Sequence, residues 1–390
     1  MTLLRAFKTE IAPSKNQANK IRQTLGVCRF IYNFYLAHNK ERYEKDQRFV
    51  SGMDFSKWLN NEFIPSHSAY AWIKDVGSKA VKQAIMHGEK AFQRFFKGEA
   101  QFPRFKKKKN QNVKAYFPKN NAGDWTVERH RIKIPTLGWV KLKEFGYIPI
   151  GAMITGGTFS QKADRYFVSV TVQMPEVKRP SSTFSEGKGV DVGLKDFAIV
   201  SNGDVYKNLN KSSAIRKLEK TLKREQRALA RKLENKKKRG EKSATQGDSN
   251  IAKNVLRVQK LHQRLANMRN DYRAFIVSML VKTKPAYITI EDLNVKGLMK
   301  NHHLSRAIAN QGFYDFKRKL TNACRKLGIE LREVSRFYPS SKLCSHCGHK
   351  KTALSLSERI YVCASCGLVI DRDLNASRNL MQAKEYVVLT

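Results

Sequence analysis

The sequence predicts a multidomain protein of the α+β class, with helices and an antiparallel β-region in its N-terminal half and an α/β domain in its C-terminal half. Apolar residues at helical spacing run from about residue 14 to residue 97, and short alternating segments separated by turn residues follow over 112–175. From residue 189 onward, strand and helix patterns alternate. A chain of 390 residues is long enough for two or three domains, each with its own core.

The N-terminal half should begin with a short strand, followed by helices and then by the β-region. We expect the strand over 3–9 and a helix that begins at Ser14, because Ser14 and Gln17 fit a capping box. Later strands are expected at 125–134, 138–142, 153–160 and 166–172, a spacing that suits a small antiparallel barrel or sheet. The segment 176–187 is rich in Pro, Ser, Lys and Glu, which predicts a linker between domains.

The C-terminal half combines strands with two long basic helices. We expect two strands around a turn within 190–200, helices at about 211–239 and 249–283, and a break at 240–245. The second helix carries an apolar stripe that predicts the packing seam of a helical hairpin: Ile251, Val255, Val258, Leu261, Leu265 and Met268. A strand at 286–291, a helix near 312–327, a strand near 329–335 and a helix over about 373–386 should complete the domain.

The charge of the chain predicts a polyanionic partner. Lys and Arg number 75 against 33 Asp and Glu, which gives a net charge of +42. Nucleic acid is the natural partner, because each neutralised phosphate releases counterions. No apolar run reaches the ~18 residues of a membrane span, and the N-terminus lacks the apolar core of a signal peptide. We therefore expect no membrane association and a location in the cytoplasm or nucleoid, with Cys28 and Cys324 as buried thiols.

Four cysteines near the C-terminus predict a structural zinc site. Cys344 and Cys347 form one CxxC pair, Cys363 and Cys366 form a second, and 15 residues lie between the pairs. A glycine follows each pair, and such tight turns present two thiolates to one tetrahedral ion. Four cysteines leave no open coordination position, so a single Zn²⁺ in a ribbon over 344–366 should be structural rather than catalytic. Reduced, unliganded thiols are the alternative interpretation.

Acidic residues at three places in the C-terminal half are candidate ligands of a catalytic metal. Asp191 interrupts an apolar strand, Glu291 ends another, and Asp371 and Asp373 lie at the start of the last helix. Each also has an ordinary interpretation, as a turn aspartate, a strand-end residue or a helix N-cap. Asp292 should point to the opposite face of the strand from Glu291. Taken together, three carboxylates suit Mg²⁺, and phosphodiester hydrolysis commonly uses two such ions.

The order of these motifs resembles the TnpB family of transposon-encoded, RNA-guided DNA nucleases, which are similar to miniature type V CRISPR effectors. The resemblance rests on GVDVGLKDFA at 189–198, IEDL at 290–293, the two CxxC pairs and DRDLNA at 371–376. It also rests on RFIYN at 29–33, FPRFK at 102–106 and FYPSSKLCS at 337–345. The match spans nearly the whole chain, and Ser377 stands where the family usually has Ala.

The resemblance implies a RuvC/RNase H-like nuclease domain over 186–343 and 367–390, which contains the basic helical hairpin 211–283 and is interrupted by the zinc ribbon. It also implies a split N-terminal β-barrel, residues 1–10 with 112–180, and an inserted helical recognition lobe, residues 11–111. Asp191, Glu291 and Asp373 would be the catalytic residues and Mg²⁺ ligands. Nucleic-acid contacts are expected on the helix that would read the target-adjacent motif and in the basic loop: Lys79, Gln83, Arg104, Lys106, Lys107 and Lys108.

An RNA-guided DNA endonuclease is the function that the resemblance implies. Its partners would be a guide RNA from the transposon end and double-stranded target DNA beside a short target-adjacent motif, with a monomer favoured. A nuclease-dead, RNA-guided DNA-binding repressor is a second possibility, but such relatives lose carboxylates that this chain retains. A guide-free, structure-specific nuclease is the third, although the charge of +42 favours a larger ligand than a DNA junction.

Overall fold

A computed structural model describes residues 2–46, 49–121, 123–175, 186–240, 246–355 and 357–389. The chain divides into two compact units, Met1–Glu176 and Val177–Thr390, hereafter unit 1 and unit 2. Most of the predicted linker 176–187 and of the predicted hairpin break 240–245 lies outside the described residues. Within those residues, the helices are too short or too polar to span a membrane.

Helices form one part of unit 1. In the described part of unit 1 they are α1 Lys15–Asp46, α2 Gly52–Trp58, α3 Ile64–Ser66 and α4 Ser78–Phe96, with a π-helical segment at Leu59–Phe63 and 3-10 segments at Ser68–Asp75 and Lys108–Asn110. The predicted capping box is confirmed: the Ser14 backbone N–H donates to Gln17 Oε1 (2.9 Å), and the Gln17 N–H donates to Ser14 Oγ (3.3 Å). Helices α1 and α4 approach closely, since a Cβ at Gly88 would lie 2.5 Å from the Tyr35 ring.

Antiparallel strands form the other part of unit 1. They are β1 Thr2–Ala12, β2 Lys114–Pro118, β3 Thr126–Val127, β4 Arg131–Ile134, β5 Gly138–Leu142, β6 Met153–Lys162 and β7 Arg165–Pro175. Their order is β2-β6-β7-β1-β5-β4-β3, and β2 and β3 are not hydrogen-bonded to each other in the described residues, so the sheet is open. Phe7, Ile11, Phe159 and Val170 are buried on this sheet and belong to the same apolar core as the helices.

Two sequence predictions for this sheet need correction. The first strand runs to Ala12, past the predicted end at residue 9, because Ile11 and Ala12 also pair with β5. The predicted strand 125–134 is in fact the two strands β3 and β4. The Glu128 N–H donates to the Arg131 carbonyl (2.9 Å) and closes a turn between them.

A six-stranded sheet is the centre of unit 2. Its strands are β8 Lys188–Val192, β9 Asp196–Val200, β10 Val205–Lys207, β11 Tyr287–Glu291, β12 Glu330–Val334 and β15 Val387–Val388, and a separate ribbon pairs β13 Ile360–Val362 with β14 Val369–Asp371. The order in the large sheet is β10-β9-β8-β11-β12-β15. Strands β8, β11 and β12 are parallel, and the other neighbours are antiparallel.

Helices accompany this sheet. In the described part of unit 2 they are α5 Ser213–Lys238, α6 Gln246–Lys282, α7 Val295–Leu298, α8 Ser305–Gln311, α9 Phe313–Leu327 and α10 Arg372–Gln382, with a 3-10 turn at Leu209–Lys211. Ile276 and Leu280 of α6 and Phe316 and Leu320 of α9 are buried in one core with Val190 of β8. The apolar core therefore lies between the sheet and the helices α6 and α9.

The predicted hairpin seam is present between α5 and α6. Val258, Leu261, Leu265 and Met268 of the predicted stripe form one cluster with the apolar residues Ile215, Leu218 and Leu222 of α5. Ile251 and Val255 are half-buried outside this cluster. At that end of the seam a polar contact occurs instead, since buried Asn254 donates to Glu225 (3.1 Å).

The last helix is shorter than predicted. It ends at Gln382 rather than near residue 386. The reason is tertiary pairing, because Val387 and Val388 join β12 as an antiparallel edge strand and Leu389 N–H donates to the Leu331 carbonyl (2.9 Å). A helix that continued to 386 could not supply this strand.

Candidate active site

Asp191 lies on the face of the unit 2 sheet opposite to the apolar core. Side chains alternate along β8, so Val190 is fully buried in the core with Ile290 of β11, whereas Gly189 and Asp191 face the other way. A Cβ at Gly189 would lie 1.9 Å from the backbone oxygen of Ser377 in α10. Helix α10 therefore packs directly on the strand that carries Asp191, and this close approach requires glycine at residue 189.

Glu291 lies beside Asp191 on the neighbouring parallel strand. Ile290 pairs with Val190, so the next residues along the two strands share one register and one face. The Tyr287 hydroxyl, on the same face of β11, donates to a backbone carbonyl of α10 (3.2 Å). Neighbouring strands lie about 4.8 Å apart, so the two carboxylates enter one site beneath α10.

The start of α10 brings Asp373 to this site and gives Asp371 a different role. Asp371 is the N-cap residue, because its Oδ1 accepts from the backbone N–H groups of Asp373 and Leu374, each at 3.0 Å. Asp371 is exposed, whereas Asp373 is half-buried in the first helical turn. After burial, the charge of Asp373 is the next cause that raises the pKa of Asp191, so the two carboxyl groups interact electrostatically. The structure therefore brings Asp191, Glu291 and Asp373 together and assigns the cap to Asp371.

The electrostatics of this cluster favour a bound cation. Burial, and then the charges of Asp373 and Glu291, raise the pKa of Asp191 to about 7, while Arg372 acts in the opposite direction. Burial and then the adjacent Asp292 raise the pKa of Glu291. Among the described residues, none of the three clustered carboxylates forms a salt bridge within 4.0 Å. Their mutual repulsion is thus left for a cation to relieve, and carboxylate oxygens are suitable Mg²⁺ donors.

Asp292 does not belong to the cluster. Its Oδ2 accepts from Arg336 Nε (3.1 Å) in an ion pair just after the end of β11. A cavity of about 290 Å³ adjoins both Glu291 and this ion pair.

The predicted cluster of four cysteines is confirmed. Ligand atoms of Cys344, Cys347, Cys363 and Cys366 all lie within 4.8 Å of one another. The Sγ atoms of Cys344 and Cys366 are 3.6 Å apart, as are those of Cys347 and Cys363. Zinc–sulfur bonds of about 2.3 Å would place the sulfurs of a tetrahedral site about 3.8 Å apart, so the cluster fits Zn²⁺. The backbone N–H of Cys366 donates to the sulfur of Cys363 and lowers the pKa of that thiol to about 6, which favours the thiolate that zinc binds.

Two asparagines that sequence reasoning missed connect the cysteine cluster to α10. Asn375 is fully buried; its Oδ1 accepts from the Ser345 N–H (2.9 Å), and its Nδ2 donates to the Leu343 carbonyl (2.6 Å). Asn379, one turn later, donates to the carbonyls of Leu343 and Ser340, each at 2.7 Å. The available signal was two amides at i and i+4 on a short helix beside the CxxC segment. These contacts couple the cysteine module to the helix that carries Asp373.

The predicted nucleic-acid residues of unit 1 lie in different environments. Lys79 Nζ is 2.8 Å from Asp124 Oδ2, and this bond is the main reason that the pKa of Asp124 falls to about 2. The Lys106 ammonium lies 3.7 Å from the centre of the Tyr32 ring, and burial lowers the pKa of Lys106. The Asn33 side-chain amide holds the backbone of Lys106. Asn33 Oδ1 accepts from the Lys106 N–H (2.8 Å), and Asn33 Nδ2 donates to the Lys106 carbonyl (3.0 Å). Lys106 therefore has a structural role in its loop.

The remaining predicted contacts are more accessible. Lys107, Lys108 and Arg104 are exposed, and Gln83 is half-buried on α4. Arg104 Nη2 donates to Gln101 Oε1 (3.1 Å), an exposed contact within the same loop. In unit 2, an open groove along α5 is lined by a set of cations that includes Lys220, Lys223, Arg224, Arg227 and Arg231. Both units thus present basic surfaces of the kind that contact phosphates.

The fold places the chain in the class of proteins built like Cas12f1. A cryo-EM structure described as a Cas12f1-sgRNA-target DNA complex aligns over 99% of this chain and 100% of that chain, with a TM-score of 0.61 and 13% identity. At that identity the likeness concerns the fold. A family model for a Cas12f1-like TNB domain matches residues 313–380, the segment that holds the four cysteines and Asp373.

Sequence comparison then gives the family. A protein of Streptomyces pristinaespiralis named "Putative RNA-guided DNA endonuclease" is 30% identical over 384 residues, 97% of this chain and 89% of its own length. "Putative RNA-guided DNA endonuclease InsQ" of Escherichia coli (strain K12) is 29% identical over 403 residues, 100% of this chain and 94% of its own length. The chain belongs to the TnpB family.

Two further family models match other segments of the chain. A model described as a probable transposase matches residues 167–302, which include Asp191 and Glu291. A model described as a helix-turn-helix domain matches residues 1–48. In this structure the described part of that segment is the strand β1 followed by the single helix α1, so its description does not correspond to two helices here.

Proposed function

We propose that this protein is an RNA-guided DNA endonuclease that hydrolyses phosphodiester bonds with divalent metal ions bound by Asp191, Glu291 and Asp373. The observation that carries the proposal is the convergence of these three carboxylates beneath α10, where burial and then the charges of Asp373 and Glu291 raise the pKa of Asp191 and no salt bridge compensates the carboxylates in the described residues. Membership of the TnpB family supports the proposal, since full-length relatives bear RNA-guided DNA endonuclease names.

We further propose that unit 2 is a RuvC/RNase H-like domain. The antiparallel meander of β8, β9 and β10, followed by β11 and β12 parallel to β8, supports this proposal. The carboxylates come from the first strand, the fourth strand and a helix across the sheet, and the cysteine module lies between β12 and α10. In unit 1, we propose that the seven-stranded sheet is the barrel-like domain and that helices α1–α4 form the recognition lobe, with the boundary moved to residue 12.

The carboxylate donors of the cluster suit Mg²⁺, which when bound supplies the Lewis acidity that activates water and stabilises the departing oxygen. Asp191 and Glu291 would hold the metal from adjacent strands, and Asp373 from the first turn of α10. The site would hold two such ions, as is common in phosphodiester hydrolysis. Because the pKa of Asp191 is raised, its carboxyl group must lose a proton before it can act as a ligand.

The cysteine module would act only through structure. Four sulfur ligands satisfy a tetrahedral zinc ion and leave no position for water or substrate. Asn375 and Asn379 connect the module to α10, so zinc would hold the helix in the position that directs Asp373 at the other carboxylates. The zinc and magnesium sites would therefore be mechanically coupled while remaining chemically distinct.

The first test concerns the metal cluster. Asp191→Ala, Glu291→Ala and Asp373→Ala should each abolish Mg²⁺-dependent cleavage of matched DNA while binding of that DNA persists. Gel-shift and cleavage assays on the same protein–RNA preparations measure both properties. If wild-type protein binds matched DNA and never cuts it, the nuclease-dead repressor becomes the better description.

The second test concerns the guide. Protein purified from cells that carry its native flanking DNA should contain a discrete RNA, and exchange of the guide segment should move cleavage to the newly matching DNA. RNase treatment before the target is added should abolish specific cutting, and binding should weaken steeply with salt. A guide-free nuclease would be indicated if RNA-free protein cut the original DNA equally well and the exchange changed nothing.

A further inference from the structure

A buried amide holds the turn that follows the strand of Asp191. Gln311, the last residue of α8, is 2% exposed. Its Nε2 donates to the Gly193 carbonyl (3.0 Å), and its Oε1 accepts from Asn210 Nδ2 (3.1 Å). Both polar atoms of this side chain are therefore hydrogen-bonded. Its Nε2 bonds the backbone carbonyl of the residue two positions after Asp191.

The same amide is tied to the base of the helical hairpin. Arg269 of α6 donates to Asn210 Oδ1 (2.7 Å) and to Glu219 Oε1 of α5 (2.8 Å). Arg273, one turn further along α6, donates to the backbone carbonyl of Gln311 (3.2 Å). Gly312 ends α8 at a φ of 67°, and a Cβ there would lie 3.0 Å from the Arg273 guanidinium, so glycine allows this approach. Helix α6 thus contacts Gln311 directly through Arg273, and α5 is connected to it through Glu219, Arg269 and Asn210.

A second amide holds the next residue of the same turn. Asn208 Nδ2 donates to the Leu194 carbonyl (2.8 Å), and Asn208 Oδ1 accepts from the Asn210 N–H (2.9 Å). The turn between β8 and β9 is therefore secured at two successive carbonyls by side-chain amides. Directional hydrogen bonds of buried groups fix geometry more narrowly than apolar packing does.

We propose that Gln311 is a positioning residue for Asp191, and that the hairpin base holds Gln311 in place through Asn210 and Arg273. Gln311 bonds Gly193 rather than the carboxyl group, so it acts through the backbone of β8. A metal-binding carboxylate must be held within a fraction of an ångström, and a misplacement of about 1 Å can lower a rate about 100-fold. The inference rests on the proposed nuclease function.

The test replaces Gln311 with side chains of the same length. Gln311→Met removes both hydrogen bonds, and Gln311→Glu keeps the acceptor for Asn210 but removes the donor to Gly193. Each should lower the maximal cleavage rate of the protein–RNA complex about 10- to 100-fold at saturating matched DNA and Mg²⁺. The KM for DNA and the equilibrium binding of DNA should stay unchanged, because the side chain is buried. Asn210→Ala, one bond further away, should cause a smaller decrease.

Asn254→Leu is the matched control. Asn254 is 6% exposed, and its amide bonds Glu225 in the seam between α5 and α6 rather than the β8–β9 turn. The Asn254→Leu variant should have a lower unfolding temperature than the wild type, and its folded form should keep the wild-type maximal cleavage rate. If Gln311→Met does not fold, Gln311→Glu decides the question.

Two outcomes overturn the inference. One is an unchanged maximal rate in folded Gln311→Met or Gln311→Glu protein; the other is a rate loss that Asn254→Leu reproduces in full. Failure of the wild-type protein–RNA complex to cut matched DNA would instead refute the proposed function. The two failures are therefore distinguishable in one set of assays.

Discussion

Asp371 and Asp373 are two residues apart, and their replacement by alanine should have opposite effects. Asp373→Ala removes one of the three carboxylates proposed to bind the metal, whose charge also helps to raise the pKa of Asp191, so cleavage should be abolished. Helix α10 should persist in that variant, because Asp371 still caps it. Asp371→Ala removes the acceptor of two backbone N–H groups, each bonded at 3.0 Å, and leaves the three clustered carboxylates in place.

The magnitudes follow from the exposure of the two groups. Loss of an aspartate N-cap costs about 0.5–2 kcal/mol. Since Asp371 is exposed, the N–H groups of Asp373 and Leu374 can bond to water when the cap is lost, so we expect a cost of about 1 kcal/mol. For a domain of this size that corresponds to a decrease of about 2–4 °C in unfolding temperature. Asp373→Ala relieves a repulsion, so its unfolding temperature should be equal to or above that of the wild type, and the pKa of Asp191 should fall.

The assay combines thermal unfolding with cleavage of a matched plasmid by each protein–RNA complex. Asp371→Asn is the control, because asparagine caps a helix about as well as aspartate while it removes the charge. That variant should retain both stability and cutting. Wild-type cutting by Asp373→Ala would refute the assignment, as would loss of cutting in Asp371→Ala with an unchanged unfolding temperature.

Three other predictions concern pH, zinc and packing. The pKa of Asp191, about 7 in the folded protein without Mg²⁺, exceeds its unfolded value of about 3.9, so the free energy of unfolding should fall as pH rises from about 4 to about 7. Denaturant titrations should show this component in the wild type and its loss in Asp191→Asn. Fresh, reduced protein should contain about one zinc per chain by elemental analysis, and Cys363→Ser should lower the unfolding temperature of unit 2; zinc-free folded protein would contradict the ribbon. Gly189→Ala should destabilise by at least about 1–3 kcal/mol, because its Cβ would meet the Ser377 oxygen at 1.9 Å, whereas Gly26→Ala, with nothing within 4 Å, should not.

Features with a short-range pattern could be predicted from the sequence. The capping box at Ser14 spans only four residues, and the hairpin seam through Leu261 and Leu265 follows from helical periodicity. The cysteine cluster follows from two CxxC pairs, because each tight turn presents two sulfurs together. Element ends were less predictable: β1 extends to Ala12 and α10 stops at Gln382, since both ends depend on strands that lie far away in the chain.

By itself, the sequence determined the four-cysteine cluster, the basic hairpin, the family resemblance and the candidate carboxylates, because residue type and spacing encode these directly. Only the tertiary structure showed that Asp371 caps α10 and that the charge of Asp373 contributes, after burial, to the raised pKa of Asp191, since both depend on how α10 packs on the sheet. The structure also showed that Asn375 holds the cysteine module and Gln311 the turn after β8. The sequence does not indicate which distant backbone group a side-chain amide will bond. That partner depends on how the sheet, α8 and α10 pack together.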